Sequence, residues 1–341
     1  MSNKQFGFAV IMFYLLLAFP SFYFVYKFAD PIDVGHDFFQ YYRLYDTWDW
    51  KNVNAPFNMR LISSGFIYLF HKTGFYYESA TIFDKYLVYG FDKRVFFSAV
   101  FFNYVCVAAT AAVIFYTVKQ LAGQSLVALL AGTIFLLGSG IQFHQIMPCA
   151  DAFSTLLFAL VFYYYQKQSR ISLLILPLAV FQREYVLLAF ILIAGIDWFQ
   201  TKHVMAIKTT LLALLCFAMY FVLRRTFFYT PALSFQTSPS QLIHALVNDI
   251  PPLGPYFRQL LLTLNLFLIY LGMVAYKKYR AFPLNKNGLI KIMLLLAQII
   301  LISFAALLGT NTGRYFFIAS PLLLFYLASE AQAVFGNHQE N

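Results

Sequence analysis

The first residue that could do chemistry is Asp37, which lies in the stretch DVGHDFFQYY. Asp37 precedes a run with helical spacing, so it could cap the start of a helix and stabilise it by about 1 kcal/mol. A carboxylate beside a substrate cleft could also take a proton from an acceptor hydroxyl as a general base. The two roles are compatible, because a capping carboxylate is held rigidly. Asp33 and His36 are neighbouring alternatives for the same roles.

Three further segments carry groups that could bind a substrate. Arg60 in NMRLISSG could bind lipid headgroups or hold a substrate. His144 and Asp151 in QFHQIMPCAD form a polar turn that could cap the next helix or face the same substrate. Arg183 and Glu184 stand between two apolar runs. They are either an ion pair that locks two helices or a functional pair, because ionisable groups at membrane depth are costly.

Four more arginines lie at the ends of apolar runs. Each alone is an ordinary interfacial anchor, whereas together they place several guanidinium groups on the face that carries the carboxylates. Guanidinium binds phosphate through paired N–H donors. Transfer from a phosphate-activated lipid needs both groups, because the acid assists the nucleophile and the cations stabilise the departing phosphate. These arginines are Arg224, Arg225, Arg258 and Arg314.

The composition indicates which elements must position these residues. Of 341 residues, 61% are hydrophobic and 11% are charged, whereas a soluble domain carries roughly 25% charged residues. The net charge is +10, but the basic residues are scattered between apolar runs. This pattern favours headgroups and anionic ligands as partners and argues against nucleic acid. The chain is therefore predicted to be an all-α integral membrane protein.

A helix needs about 20 apolar residues to cross a bilayer. Eight segments are candidates for single spans, the first of which is read as uncleaved. They are 6–26, 95–118, 126–141, 153–165, 204–223, 260–276, 289–308 and 315–333.

The segment 171–199 is either one span with a buried ion pair or two short spans joined by a turn at Gln182, Arg183 and Glu184. Cytoplasmic loops are rich in Lys and Arg. Two spans here place all the strongly basic segments on one side, including the five basic residues of 277–291. We therefore predict a polytopic bundle of about ten spans, one transmembrane domain over 1–341, with both termini in the cytoplasm.

This topology collects eleven of the fourteen acidic residues on the outer face, eight of them between Asp30 and Asp92. The long first outer loop, 27–94, is predicted to contain a helix near 37–50 and an amphipathic interfacial helix near 57–70. A second outer loop covers 226–257.

These motifs resemble the GT-C class of membrane glycosyltransferases. GHDFFQYYRLYDTWD is similar to the segment with an essential Asp after the first span, and PFNMRLISSGFIYLF resembles the Arg-bearing segment that follows it. FQREYVLLAFIL and GRYFFIASPLLLFYLA resemble a paired-helix turn and a late span. The resemblance implies a polyprenyl-phosphate-linked sugar donor and inverting transfer with Asp37 as base. It places the donor phosphate on some of Arg183, Arg224, Arg225, Arg258 and Arg314.

The chain departs from that class in two ways. No soluble domain is expected after the last span, so the outer loops would bind the acceptor, which could be a glycan, a lipid or a protein. The first loop has no Asp-x-Asp or Glu-x-Asp pair, so no cofactor is predicted and a divalent metal is left open. The expected location is a bacterial inner membrane in preference to an endoplasmic reticulum. A lipid transporter or flippase, and a non-catalytic subunit of a membrane complex, remain alternatives.

Overall fold

The computed structural model describes residues 3–34, 37–54, 57–138, 146–167, 169–183 and 187–228. Over these ranges the chain is helical and contains no strand. Short 3₁₀ helices cover Pro31–Val34, Phe57–Met59 and Ile82–Tyr89. The α-helices are α1 (Asn3–Phe28), α2 (Asp37–Thr47), α3 (Leu61–Lys72), α4 (Lys93–Ala122), α5 (Ser125–Leu137), α6 (Asp151–Gln166), α7 (Ile171–Gln182), α8 (Leu187–Phe199) and α9 (His203–Thr226).

Three of these helices are long and apolar enough to cross a membrane. They are Gln5–Phe28 in α1, Lys93–Gln120 in α4 and His203–Thr226 in α9. Each contains one of the predicted spans, and together they support the assignment of the chain to the membrane proteins. The predicted spans at 260–276, 289–308 and 315–333 lie outside the described residues.

Helices α1 and α4 pack against each other in opposite directions. The rings of Phe6 and Phe115 lie 6.0 Å apart near one end, and those of Phe22 and Phe97 lie 6.1 Å apart near the other. Between them the Tyr104 hydroxyl donates to the Leu15 carbonyl at 2.8 Å. Of the apolar window in α4, 72% is buried, against 28% in α1 and in α9, so α4 is the central helix of the described bundle.

A left-handed glycine lets the chain reverse from α4 into α5. Gly123 (φ +69°) ends α4 and donates from its N–H to the Lys119 carbonyl, in the conformation that glycine adopts at low cost. Helix α5 then packs on α4 and α1, where the Tyr14 hydroxyl reaches the Leu129 carbonyl at 3.1 Å. This contact sets the close spacing of α1 and α5.

Helices α6, α7 and α8 run back and forth along the bundle. The start of α6 lies beside α4, since the Asn103 amide donates to the Cys149 carbonyl at 2.9 Å. Helix α7 returns to that level, where Gln182 approaches the Ala150 carbonyl at 3.4 Å. Helix α8 ends beside the last turn of α6, since the Tyr165 hydroxyl lies 2.7 Å from the Asp197 carboxylate. The segment 171–199 is therefore two short helices.

The segment between α1 and α4 folds over one end of the bundle, here called the Asp37 end. Helix α2 packs on α3, and both predicted helices of the loop are present, although α3 begins at Leu61 because Phe57–Met59 forms a 3₁₀ turn. Asp30 binds Lys85, which ties the end of α1 to the third 3₁₀ helix. The opposite end, here called the Lys119 end, holds the α4–α5, α6–α7 and α8–α9 turns.

Candidate functional site

Helix α2 begins at Asp37, the residue after which this end of the bundle is named. Asp37 is the first residue of the helix and is half-buried. A carboxylate in the first turn is stabilised by the positive end of the helix dipole. Tyr41 and Tyr45 follow at intervals of four residues, so they lie on the same helix face as Asp37, and both are fully buried. The helix therefore places a partly accessible carboxylate at the edge of a buried polar face.

Arg60 precedes α3 and is buried, with 4% of its surface exposed. Its guanidinium donates to the Tyr41 hydroxyl and lies 5.6 Å from the centre of the Tyr41 ring and 5.7 Å from that of Phe57. Cation–π contacts of this kind gain strength when they are desolvated. Arg60 is therefore an internal link between α2 and α3, and its cation does not face lipid headgroups.

Asp151 and Arg183 form an ion pair at the start of α6 and the end of α7. Asp151 is fully buried and Arg183 is 6% exposed. Ala150 occupies the N-cap position of α6, so Asp151 does not stand where the sequence pattern placed a cap. Removing one partner of a buried pair costs about 3–5 kcal/mol, because the other charge stays buried without compensation. The pair therefore fastens α7 to α6.

Gln182 extends this contact to α3. Its side-chain amide donates to the Ser63 hydroxyl at 2.5 Å, and its carbonyl oxygen accepts from the Ser63 backbone N–H at 3.3 Å. It also reaches the Ala150 carbonyl on the α6 side. A single buried glutamine thus joins α3, α6 and α7 beside the Asp151–Arg183 pair.

Tyr45 lies near both Asp37 and Asp151. Its hydroxyl is buried and has no hydrogen-bond partner among the described residues. Burial raises the pKa of Tyr45 well above its usual value; nearby Cys149, Asp37 and Asp151 add to the increase, and the positive charge of Arg183 opposes it. The phenol of Tyr45 therefore stays protonated and experiences the electric fields of the Asp37 and Asp151 carboxylates. We call Asp37, Tyr41, Tyr45, Arg60, Asp151, Gln182 and Arg183 the polar cluster.

The structure thus brings together four of the residues that the sequence singled out: Asp37, Arg60, Asp151 and Arg183. Arg224 and Arg225 lie in the last turn of α9; the first is half-buried and the second exposed. The following Phe228 ring lies 5.8 Å from that of Trp50, which places the end of α9 at the Asp37 end of the bundle. Among the predicted site residues, His144, Glu184, Arg258 and Arg314 lie outside the described residues.

Sequence reasoning missed Tyr41 and Tyr45 as members of the cluster, and it missed Ser63 as the partner of Gln182. The spacing of Asp37, Tyr41 and Tyr45 was available as a signal, because residues four apart share a helix face. Ser63 carried no such signal, since its partner Gln182 is distant in the chain. Over the part of the chain that the structure covers, no group of three or more His, Cys, Asp or Glu side chains comes together in a way that could hold a metal ion.

Comparison with protein-family models, with curated proteins and with solved structures finds no match for this chain. The polar cluster combines a half-buried carboxylate, which can accept a proton, with a buried phenol and with two buried guanidiniums, whose positive charges balance the two carboxylates of the cluster. Two further arginines lie at the same end of the bundle. Such a set suits a reaction in which a hydroxyl loses its proton and an anionic group departs.

Proposed function

We propose that this chain is a membrane glycosyltransferase that transfers a sugar from a polyprenyl-phosphate-linked donor to an acceptor hydroxyl. The observation that carries the proposal is the half-buried Asp37 at the edge of a buried cluster that contains Arg60 and Arg183. In a chain with 11% charged residues, the burial of Arg60 and of the Asp151–Arg183 pair is a costly arrangement. The acceptor class is a glycan, a lipid or a protein.

The proposal includes a topology of the GT-C type. About ten spans, with both termini in the cytoplasm, would place the Asp37 end on the outer face of a bacterial inner membrane. The charges of the opposite end support this orientation, because cytoplasmic loops collect basic residues. The Lys119 end carries Lys119, Lys167, Arg170, Lys202 and Lys208.

The proposed reaction is a single displacement. The acceptor oxygen attacks the anomeric carbon while the bond from that carbon to the phosphate oxygen breaks, and the electron pair leaves with the lipid phosphate. Asp37 takes the proton of the acceptor hydroxyl. Arg224 and Arg225 are proposed to bind the departing phosphate, together with Arg258 and Arg314. Arg60 donates to the neutral Tyr41 hydroxyl and adds positive potential, whereas the charge of Arg183 is balanced by Asp151.

The test is the substitution Asp37→Asn. Asparagine has nearly the same size and shape as aspartate, so α2 should stay folded while the proton acceptor is lost. Loss of a general base typically lowers turnover by about 10²–10⁴-fold. The assay follows transfer from a panel of polyprenyl-phosphate-linked hexoses in membranes that contain the full chain.

Asp46→Asn is the matched control for this test, because Asp46 lies on the same helix but contacts His71 at 3.6 Å instead of the cluster. We expect Asp46→Asn to retain the transfer rate. Full transfer by Asp37→Asn would remove Asp37 as the base and, with it, the main support for this reaction.

One observation favours a second function, that of a non-catalytic subunit. Arg60, Asp151 and Arg183 each have an internal partner, as structural locks do. A subunit of this kind would copurify with an enzyme whose activity is insensitive to Asp37→Asn. A transporter is favoured less, because the described charges collect at the ends of the bundle instead of lining a path between them.

A further inference from the structure

A cavity with both polar and apolar lining residues lies at the Lys119 end of the bundle, away from the polar cluster. It has a volume of about 510 Å³ and is enclosed by the α6–α7 turn, the end of α8 and the start of α9. Tyr165 in its wall follows Asp151 by fourteen residues of α6, or about 21 Å along the helix axis. The cavity is therefore separate from the candidate transferase site, and nothing in the proposed reaction uses it.

A carboxylate lines the wall of this cavity. Asp197 is 2% exposed, and the Tyr165 hydroxyl donates to it at 2.7 Å. Among the described residues no Lys, Arg or His nitrogen lies within ion-pair distance of Asp197. A buried carboxylate whose partner is one neutral hydroxyl carries a desolvation penalty. A ligand cation in the cavity would offset that penalty.

Two exposed cations line the same cavity. Arg170 lies in the α6–α7 turn and Lys202 just before α9. Neither has an ion-pair partner in the described ranges. Guanidinium and ammonium groups at a rim bind phosphate. The cavity thus offers positive charge at its rim and a carboxylate in its wall.

The remaining lining is apolar and includes Leu173, Ile193, Ile196 and Met205. Since the α6–α7 turn and the start of α9 line the cavity, these side chains can contact the first carbons of a lipid whose headgroup enters the cavity. Other basic side chains, Lys119, Lys167 and Lys208, collect at the same end, where a bilayer surface would meet the protein.

We propose that this cavity binds the headgroup of an amine-bearing phospholipid, with its phosphate at Arg170 and Lys202 and its primary ammonium at Asp197. The pairing of opposite charges selects this class, because an anionic lipid without an amine would leave Asp197 uncompensated. Soluble phosphoethanolamine shares the headgroup chemistry but lacks the apolar part. The lipid is the proposed ligand because of the apolar lining.

The experiment is native mass spectrometry on the full chain in detergent. The probes are short-chain phosphatidylethanolamine, short-chain phosphatidylglycerol and soluble phosphoethanolamine. We expect phosphatidylethanolamine to bind at least about fivefold more tightly than phosphatidylglycerol or soluble phosphoethanolamine. One charge contact at a membrane surface contributes about 1 kcal/mol.

Three variants separate the contacts. Asp197→Asn keeps an acceptor for Tyr165 and is expected to abolish the preference for the amine lipid over phosphatidylglycerol. Lys202→Ala is expected to weaken the binding of both lipids about fivefold. Lys167→Ala is the matched control: Lys167 lies at the same end but over the Tyr163 ring, so its loss should leave binding unchanged.

Three results would overturn the proposal. Phosphatidylglycerol could bind as tightly as phosphatidylethanolamine, or Lys167→Ala could weaken binding as much as Lys202→Ala, which would indicate a diffuse basic surface. Equal binding of soluble phosphoethanolamine would assign the cavity to a soluble ligand instead of a lipid. Unchanged melting temperatures of the variants in detergent confirm that each is folded.

Discussion

Tyr45 is the residue whose surroundings define the candidate site most closely. Its hydroxyl is buried, and the described residues offer it no hydrogen-bond partner. A buried polar atom without a partner costs about 1–3 kcal/mol, so such groups are rare in native proteins. The hydroxyl lies in the electric fields of Asp37 and Asp151. The free-energy cost of its burial therefore arises close to the position where a substrate oxygen would bind in the proposed reaction.

Tyr45→Phe is therefore expected to raise the free energy of unfolding by about 1 kcal/mol, because it keeps the ring and removes a hydroxyl that has no partner among the described residues. The measurement is unfolding of the full chain in mixed micelles. Tyr41→Phe is the matched substitution one turn earlier. This substitution removes the hydroxyl that accepts a hydrogen bond from Arg60. It should lower the free energy of unfolding by about 1–3 kcal/mol. Equal losses in the two variants would contradict this account of Tyr45.

His71 makes stability depend on pH. It lies at the end of α3 beside Asp46, and burial lowers its pKa below the usual 6.5, with Lys72 adding to the effect. Between the lowered folded pKa and 6.5 the unfolded chain binds more protons, so stability rises with pH there. The contribution is complete above pH 6.5 and is lost as the pH falls through the folded pKa.

The substitution His71→Gln should flatten this dependence. The check is the melting temperature in detergent between pH 5 and pH 8, for the native chain and the variant. A slope that survives the substitution would assign the dependence to other groups.

At the scale of residues, the sequence predicted which residue types matter but not which residues pair with each other. The sequence singled out Asp37 and Arg183, and the structure places both in the polar cluster. Arg183 pairs with Asp151, 32 residues earlier, a contact that the sequence did not suggest, and its neighbour Glu184 lies outside the described residues. A pairing of this kind depends on how α6 and α7 pack, and no local pattern encodes that packing.

At the scale of elements, the close contact of α1, α4 and α5 depends on Gly132. A Cβ at this position would lie 2.8 Å from the Ala111 carbonyl oxygen on α4 and closer still to the Tyr14 phenol on α1. Contacts below 3.0 Å force something to shift, and a backbone carbonyl in a buried helix has little freedom to do so. The glycine therefore fixes the spacing of three helices.

Gly132→Ala should lower the free energy of unfolding by about 1–3 kcal/mol through overpacking. Gly195→Ala on α8 is the control, because nothing lies within 4 Å of its added Cβ. There the higher helix propensity of alanine should raise stability by about 0.5–1 kcal/mol. The measurement is the same micelle unfolding, and similar effects at the two positions would rule out the steric argument.

Helix bounds were the most predictable property of these elements. The spans predicted at 6–26, 95–118 and 204–223 lie within α1, α4 and α9, because long apolar runs leave few alternatives. The start of α3 was predicted four residues too early, at 57 instead of Leu61. Backbone hydrogen bonds from Phe57 and Asn58 to Asn54 form a turn there, and an apolar pattern does not distinguish that turn from a helix.

At the scale of the whole molecule, the two ends of the bundle differ in charge, and this difference predicts orientation. Reporter fusions after Asn52, in the segment that follows α2, should lie on the outer face. Fusions at Asn285 should lie in the cytoplasm, as ten spans require. An Asn285 fusion on the outer face would contradict the ten-span topology and leave the described bundle unchanged.

The central position of α4 also bears on how the protein is made. Among the described elements, the partners of α4 are α1, α2, α3, the Ile82–Tyr89 helix, α5 and α6, all of which are synthesised by residue 166. The buried Asn103 amide receives its carbonyl partner when Cys149 emerges. Synthesis of the chain from residue 103 to residue 149 takes a few seconds at roughly 5–20 residues per second. The nascent chain can therefore shelter the polar groups of α4 before α7 leaves the ribosome.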